Sequence, residues 1–350
     1  MQIPEQCRRQ SGWCRNLGSP LYAALLRNVA DDYAAGGPSR SLLAPHAEDP
    51  PGWALPLRLM GAVHRLVLSG KAPQLSPFYP SVGGIPELDS AWHSFRLLLQ
   101  QEQTTVAQLL LNPVQTNDVG RSGTLLCGFL YSRLRFPRPM RLLELGTSAG
   151  LNLLWDKYRY EWDESDGWGP EDALVRLSSI FKNNPPSWPF TVEIVERAGC
   201  DKHPLDPKNP VDQLTLRSYV WADQKERIER LRAACVTACD TEIAIDCATA
   251  ADWLQRKLLE RRPGIMTVIF HSVVWQYLSP SEQAQIEASI VDAGAHASHE
   301  TPLVWLRMEP VDASGRGAPI LRWRGYPEGQ DRVLATSTYH APEVRWFDQS

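Results

Sequence analysis

No stretch of this 350-residue sequence approaches the ~18 consecutive apolar residues that a membrane-spanning helix needs, so no membrane is expected among its partners. Residues 1–9 carry Glu5, Arg8 and Arg9 where a secretory signal needs an apolar run, so the expected compartment is the cytoplasm. There is no CxxC pair. The seven cysteines, Cys7, Cys14, Cys127, Cys200, Cys235, Cys239 and Cys247, are odd in number and scattered, which argues against a disulfide framework and a zinc site; no metal is expected. Positive charge is not in excess: 36 Lys and Arg against 40 Asp and Glu leave a net −4, without the basic face that binds nucleic acid. Internal repeats and low-complexity tracts are missing too. What remains, with 43% hydrophobic and 22% charged residues, is the composition of a globular protein long enough for about two domains.

Residues 1–118 read as helical pieces joined by Pro- and Gly-rich loops. Apolar residues recur at helical spacing over 21–33 (Leu21, Leu25, Leu26, Val29) and 55–68 (Leu59, Ala62, Val63, Leu66). Pro73, Pro77, Pro80 and Pro86 then enforce an irregular segment, and 91–111 returns to helical character. From residue 119 the pattern alternates: helix 122–134, strand 141–145, helix 151–158, strand 191–195, helix 222–236, strand 242–247, and helix 253–260 capped by Asp252. A short uncharged strand follows at 265–270, then a helix behind the capping box Ser279–Glu282 with Pro280 at its first position. Strands 302–308, 320–324 and 333–338 close the chain. Residues 160–190, polar and Trp-bearing, with Pro185, Pro186, Ser187, Trp188 and Pro189 in a row, read as an insertion. This alternation predicts an α/β domain over 119–350, a mostly parallel sheet ending in an antiparallel hairpin, preceded by a helical N-terminal region.

The segment most informative about chemistry is Leu142-Leu143-Glu144-Leu145-Gly146-Thr147-Ser148-Ala149-Gly150-Leu151-Asn152. An apolar strand runs directly into a loop of small residues. In an open parallel sheet, ligands bind beyond the carboxyl ends of the strands where their order reverses, and small residues let the backbone approach closely. Amides at the following helix start suit a negative group. A tight strand-to-helix turn without a ligand is the plainer reading.

Three further segments stand beside it. Asp201, in Ala198-Gly199-Cys200-Asp201-Lys202-His203-Pro204, offers a carboxylate to a pair of hydroxyls or caps a turn; Glu196 is the rival if the strand ends earlier. His271 and Ser272 end the strand 265–270 and are followed by Trp275, Gln276 and Tyr277. His271 has the pKa range of a general base, or its nitrogens satisfy nearby backbone groups. A hydrolase built on Ser272 and His271 lacks the GxSxG elbow. Asn117, Asp118 and Arg121 precede the helix before the first strand, where Asn117 or Arg121 can reach a pocket or cap the helix. Arg307 and Glu309 end a late strand and line an acceptor cleft or form an edge ion pair. The alternating charges from Trp221 and Asp223 onward, Asp223 included, read as a solvated helix face.

The segment 144–150 resembles the first motif of class I S-adenosylmethionine (SAM) methyltransferases. Glu144, Gly146, Ser148 and Gly150 match, with Ser148 in place of the usual middle glycine; the dinucleotide pattern GxGxxG does not fit. The chain as a whole resembles a bacterial family, the domain of unknown function numbered 2332. The residues carrying this are Gln115–Asp118, Glu144–Leu153, Gly199–Asp201 with Pro204–Asp206, Ser218–Arg227, His271–Leu278 and Trp305–Pro310. That family implies no substrate. The methyltransferase resemblance implies a Rossmann-like methyltransferase fold, SAM as cofactor held by Glu144, Gly146, Thr147, Ser148, Gly150, Asn152 and Asp201, and His271 at the reacting end. Asn117, Arg121, Ser272 and Trp275 would line the pocket of a small-molecule acceptor. The rival expectation is a non-catalytic ligand-binding or regulatory module.

Overall fold

A computed structural model describes residues 2–50, 53–162, 166–178, 181–183, 188–311, 317–340 and 343–347. The chain divides into two units, 1–116 with 209–229, and 117–208 with 230–350. The first is helical: α1 (Ile3–Asn16), α2 (Pro20–Ala34), α3 (Pro38–Leu43), α4 (Leu55–Leu68), α5 (Leu88–Gln101) and α6 (Gln103–Leu109). Its core is the apolar stripes of these helices, among them Leu25, Leu26 and Val29 of α2, Leu59 and Val63 of α4, and Phe95 and Leu99 of α5. After α7 (Ser122–Arg135) in the second unit, the chain returns to the first for α8 (Pro210–Ser218) and the start of α9 (Lys225–Cys239). Trp221, Ala222 and Asp223 belong to this return rather than to a solvated helix face. Asp223 accepts from Ser19 Oγ at 2.5 Å and Leu21 N at 3.0 Å, so it caps α2 from 202 residues away in sequence.

The second unit is built on an eight-stranded mixed sheet. Its strands are β1 (Met140–Leu145), β5 (Ile194–Asp201), β6 (Ala244–Cys247), β7 (Met266–Ser272), β8 (Leu303–Pro310), β9 (Pro319–Tyr326), β10 (Gln330–Ser337) and β11 (Val344–Trp346), in the order β11-β10-β9-β8-β7-β1-β5-β6. The pairings from β6 to β8 are parallel, and those from β8 to β11 antiparallel. Between β1 and β5, β2 (Arg159–Glu161), β3 (Gly167–Trp168) and β4 (Arg176–Ser178) form a separate small sheet. This small sheet falls, but for Arg159, within the segment expected as an insertion at 160–190; Pro185, Pro186 and Ser187 lie outside the described residues. One sheet face packs α7, with Phe129 edge-on to Phe270. The other packs α10 (Ala250–Leu258) and α11 (Pro280–Ala295) on Leu143, Leu145, Ile269 and Trp305. Among the described residues no helix is long and apolar enough to cross a membrane.

Several local expectations change. The helix after β1 is a 3-10 helix, Leu151–Lys157, because the chain must turn at Tyr158 into β2. The terminal hairpin is a four-strand meander, since β11 adds three residues too few to show an alternation. The strand 191–195 begins at Ile194 and runs to Asp201. Its charges are tolerated because they are paired: Glu196 with the buried Arg141 at 2.9 Å, Arg197 with Asp156 at 2.6 Å. The N-cap of α10 is Thr249, while Asp252 sits in the first turn and accepts from the Thr249 hydroxyl at 2.7 Å. The Ser279 cap forms: its Oγ accepts from Glu282 N at 3.2 Å. Ser279→Ala is therefore expected to cost about 1 kcal/mol in urea unfolding; an unchanged midpoint would remove the cap from the account.

Candidate functional site

In chain order the parallel strands β6-β5-β1-β7-β8 stand 3-2-1-4-5, the doubly wound order, with the reversal between β1 and β7. Just past β1, Gly146 (φ 65°), Ser148 (φ 54°) and Gly150 (φ 72°) alternate in the left-handed region and fold the turn back over the sheet. A Cβ on Gly146 would lie 2.6 Å from Val274 Cγ2, so only glycine fits. Thr147 closes over Gly199, where a Cβ would lie 2.7 Å away.

The turn is held by its own amides. Thr147 N donates to Cys200 O at 3.0 Å, Gly150 N to Thr147 O at 2.9 Å, and Leu151 N to Asn117 Oδ1 at 2.9 Å. Ser148 N donates to Asp201 Oδ2 at 2.9 Å, and Asp201 Oδ1 accepts from His203 N at 2.8 Å. Asp201 therefore faces the turn from the end of β5. Glu196, its sequence rival, sits toward the other end of the strand against Arg141. At the helix start, Asn117 takes the amide of Leu151.

Glu144 lies beneath the turn and is buried; Thr147 Oγ1 donates to its Oε2 at 2.5 Å. Burial pushes its carboxyl up to about 8, against the pull of the Thr147 hydroxyl and the Arg121 charge. Arg121 spans the reversal point, donating from Nη1 to Ser272 O at 3.0 Å and from Nε to Tyr339 O at 3.2 Å. Ser122 Oγ donates to Asn152 Oδ1 at 2.8 Å. Beside them His340 Nδ1 lies 2.7 Å from Asp118 Oδ2, a pair that no local pattern signals. Val273, a β-branched residue at φ 55°, follows Ser272 directly; such strain is common at functional sites. Behind Gly150, Ile243 and Ile245 form part of the wall of a cleft of about 380 Å³, shared with Leu205, Asp206, Ala238 and Glu242.

Asn117, Arg121, Glu144, Gly146, Thr147, Ser148, Gly150, Asn152, Asp201 and Ser272 are thus brought together. His271 and Trp275 are not among them. Strand alternation turns Phe270 and Ser272 toward α7, and Ile269 and His271 to the opposite face, toward α10 and α11. There His271 Nδ1 lies 2.6 Å from Glu309 Oε1, which also accepts from Val274 N at 3.0 Å. The His271 ring stacks on Trp275 at 5.1 Å and 15°. Among the described residues, no group of three or more His, Cys, Asp or Glu is placed to hold a metal ion.

These features define an α/β protein whose glycine turn, acidic strand end and buried arginine meet where the strand order reverses. The chain belongs to the family described as "Uncharacterized protein conserved in bacteria (DUF2332)", which matches residues 4–346. No curated protein matches it.

Proposed function

We propose that the chain is a SAM-dependent methyltransferase with a Rossmann-like domain, acting on a small-molecule acceptor, its cofactor lying over the turn Gly146–Gly150. The observation that carries this reading is the Asp201 carboxylate, drawn to the turn at the reversal of strand order. Its two oxygens suit the vicinal hydroxyls of a ribose once the bonds to Ser148 and His203 are exchanged. Glycines in the turn permit close backbone approach, and Thr147, Asn152 and Glu144 border it. The cleft behind Gly150 has room for part of such a ligand. SAM supplies a methyl group already activated on sulfonium; the chain would bind, align and keep water out, with Asn117, Arg121 and Ser272 on the acceptor side. Seven free cysteines accord with a cytoplasmic setting.

A second reading, a non-catalytic ligand-binding or regulatory module, is favoured by the closure of the turn. Its amides at Thr147, Ser148, Gly150 and Leu151 are bonded within the chain, and Val274 packs on Gly146. The only histidine expected at the reacting end lies on the other face of the sheet.

Isothermal titration separates the two. SAM and S-adenosylhomocysteine are both expected to bind, and Asp201→Ala to weaken each by at least about tenfold, ~1.4 kcal/mol. Absence of heat with both ligands would abandon the enzyme in favour of the module.

A further inference from the structure

On the sheet face opposite the glycine turn, the pairing register aligns two ranks of side chains. His271, Arg307 and Arg322 stand side by side on β7, β8 and β9; Trp305, Arg324 and Asp331 form the next rank across β8, β9 and β10. α7 packs on the other side, against Trp323, and leaves Arg322 exposed. Three guanidiniums therefore crowd together. Asp331 serves two of them, at 2.9 Å from Arg307 Nη2 and 2.7 Å from Arg324 Nη2. Glu309, a second carboxylate beside them, accepts from the Val274 amide through Oε1, which also lies 2.6 Å from His271 Nδ1; its buried Oε2 has no hydrogen-bond partner among the described residues. Arg322 makes neither hydrogen bond nor ion pair among the described residues. Burial holds Arg307 below its ordinary range, and the charges of Arg324 and Arg322 act in the same direction.

A solvated sheet face would leave such arginines free in water. Here three nitrogens on three neighbouring residues, His271 Nε2, Trp305 Nε1 and Arg307 Nε, are buried without a hydrogen-bond partner among the described residues. Buried polar atoms are nearly always paired, and each exception costs about 1–3 kcal/mol. Aromatic surfaces enclose them: Arg307 lies 4.1 Å over Trp305, and Trp275 lies 5.8 Å from Trp305 and flat on His271.

We propose that this face binds a small anion, a carboxylate or phosphate, carried on a flat apolar body: Arg307 and Arg322 take the anion, and the flat group takes the place against His271 and Trp305 that Trp275 now occupies. Trp275 sits in a three-residue 3-10 turn, half-buried, two residues beyond the left-handed Val273, so it is the side chain that must move to admit a ligand. Guanidinium groups match both anions through paired N–H donors. The proposal does not rest on the SAM reading, which as proposed above uses neither His271 and Trp275 nor these arginines.

The test is titration of the full chain at low salt, by calorimetry and tryptophan fluorescence, with benzoate, phenyl phosphate, inorganic phosphate and neutral benzamide. Both aryl anions are expected to bind, phenyl phosphate more tightly than inorganic phosphate and benzoate more tightly than benzamide. Arg322→Gln, an exposed site that folding does not depend on, should weaken the aryl anions by about tenfold. Arg307→Lys should weaken them too, and Asp201→Ala should leave them unchanged. Silence with all four probes, equal affinity for benzamide and benzoate, or binding untouched by Arg322→Gln overturns it.

Discussion

Replacing Glu144 by Gln is expected to flatten the pH dependence of unfolding between about pH 5 and pH 8 and to leave the variant the more stable protein at the alkaline end. The reason is the buried carboxyl under the glycine turn, which burial moves from its usual 4.5 to about 8. Between those values the folded chain keeps a proton that the unfolded chain has released. The unfolded state thus binds fewer protons, and stability falls as pH rises through the window; below about 4.5 both states are protonated and the difference vanishes. Each pH unit inside the window is worth about 1.4 kcal/mol, so two units amount to roughly 3 kcal/mol. Gln keeps an oxygen to accept from Thr147 Oγ1 and carries no charge to bury. Urea unfolding of both proteins at pH 5.5 and 7.5 measures the effect as a difference of differences, in which other titrating groups cancel. A wild-type minus variant difference that stays constant across this range would mean that Glu144 does not carry the proton.

Trp155→Ala should be the most damaging single truncation near the turn. The indole is fully buried in the 3-10 helix after Gly150, stacked at 4.4 Å and 5° on Phe129 of α7 and at 5.2 Å and 21° on Trp168 of the small sheet. It therefore joins three elements, beside the Ser122–Asn152 and Tyr160–Trp155 hydrogen bonds. Removing it leaves a cavity that stacked rings cannot easily close, at a cost of about 3–5 kcal/mol. With a domain of this size the midpoint should fall by about 10 °C. Trp155→Phe is the control. Its ring keeps the stack, and it removes an indole N–H that has no partner among the described residues, so a large part of the stability should return. Equal losses in the two variants would show that stacking is not what holds this helix.

The glycine turn was legible because its signals are adjacent in sequence: a leucine-rich strand end, then Gly146, Ser148 and Gly150 at alternate positions. Asp201 was legible as a strand end, although the strand proved longer. His271 was legible as a polar residue in an apolar strand, but not its direction. Expecting the strand to stop at Phe270 left His271 in the loop, free to point anywhere. In fact β7 runs to Ser272 and pairs His271 with Arg307, which assigns it a face. Glu309, its partner, was recognised as a strand-end acid without a role. Asp223 was read as one charge of a solvated helix because nothing nearby in sequence shows that Ser19 and Leu21 wait for it.

Short-range pattern was therefore enough for the alternation of strands and helices, for the Ser279 cap and for the small-residue bend, since each depends on side chains within a few positions of one another. Strand order, the return of 209–229 to the helical unit, and the division of polar groups between two sheet faces came from pairings between distant segments. A strand has period two, so one residue of error in its end or register moves a side chain to the opposite face. Local pattern leaves strand ends uncertain by more than that, and only the packed sheet removes the ambiguity.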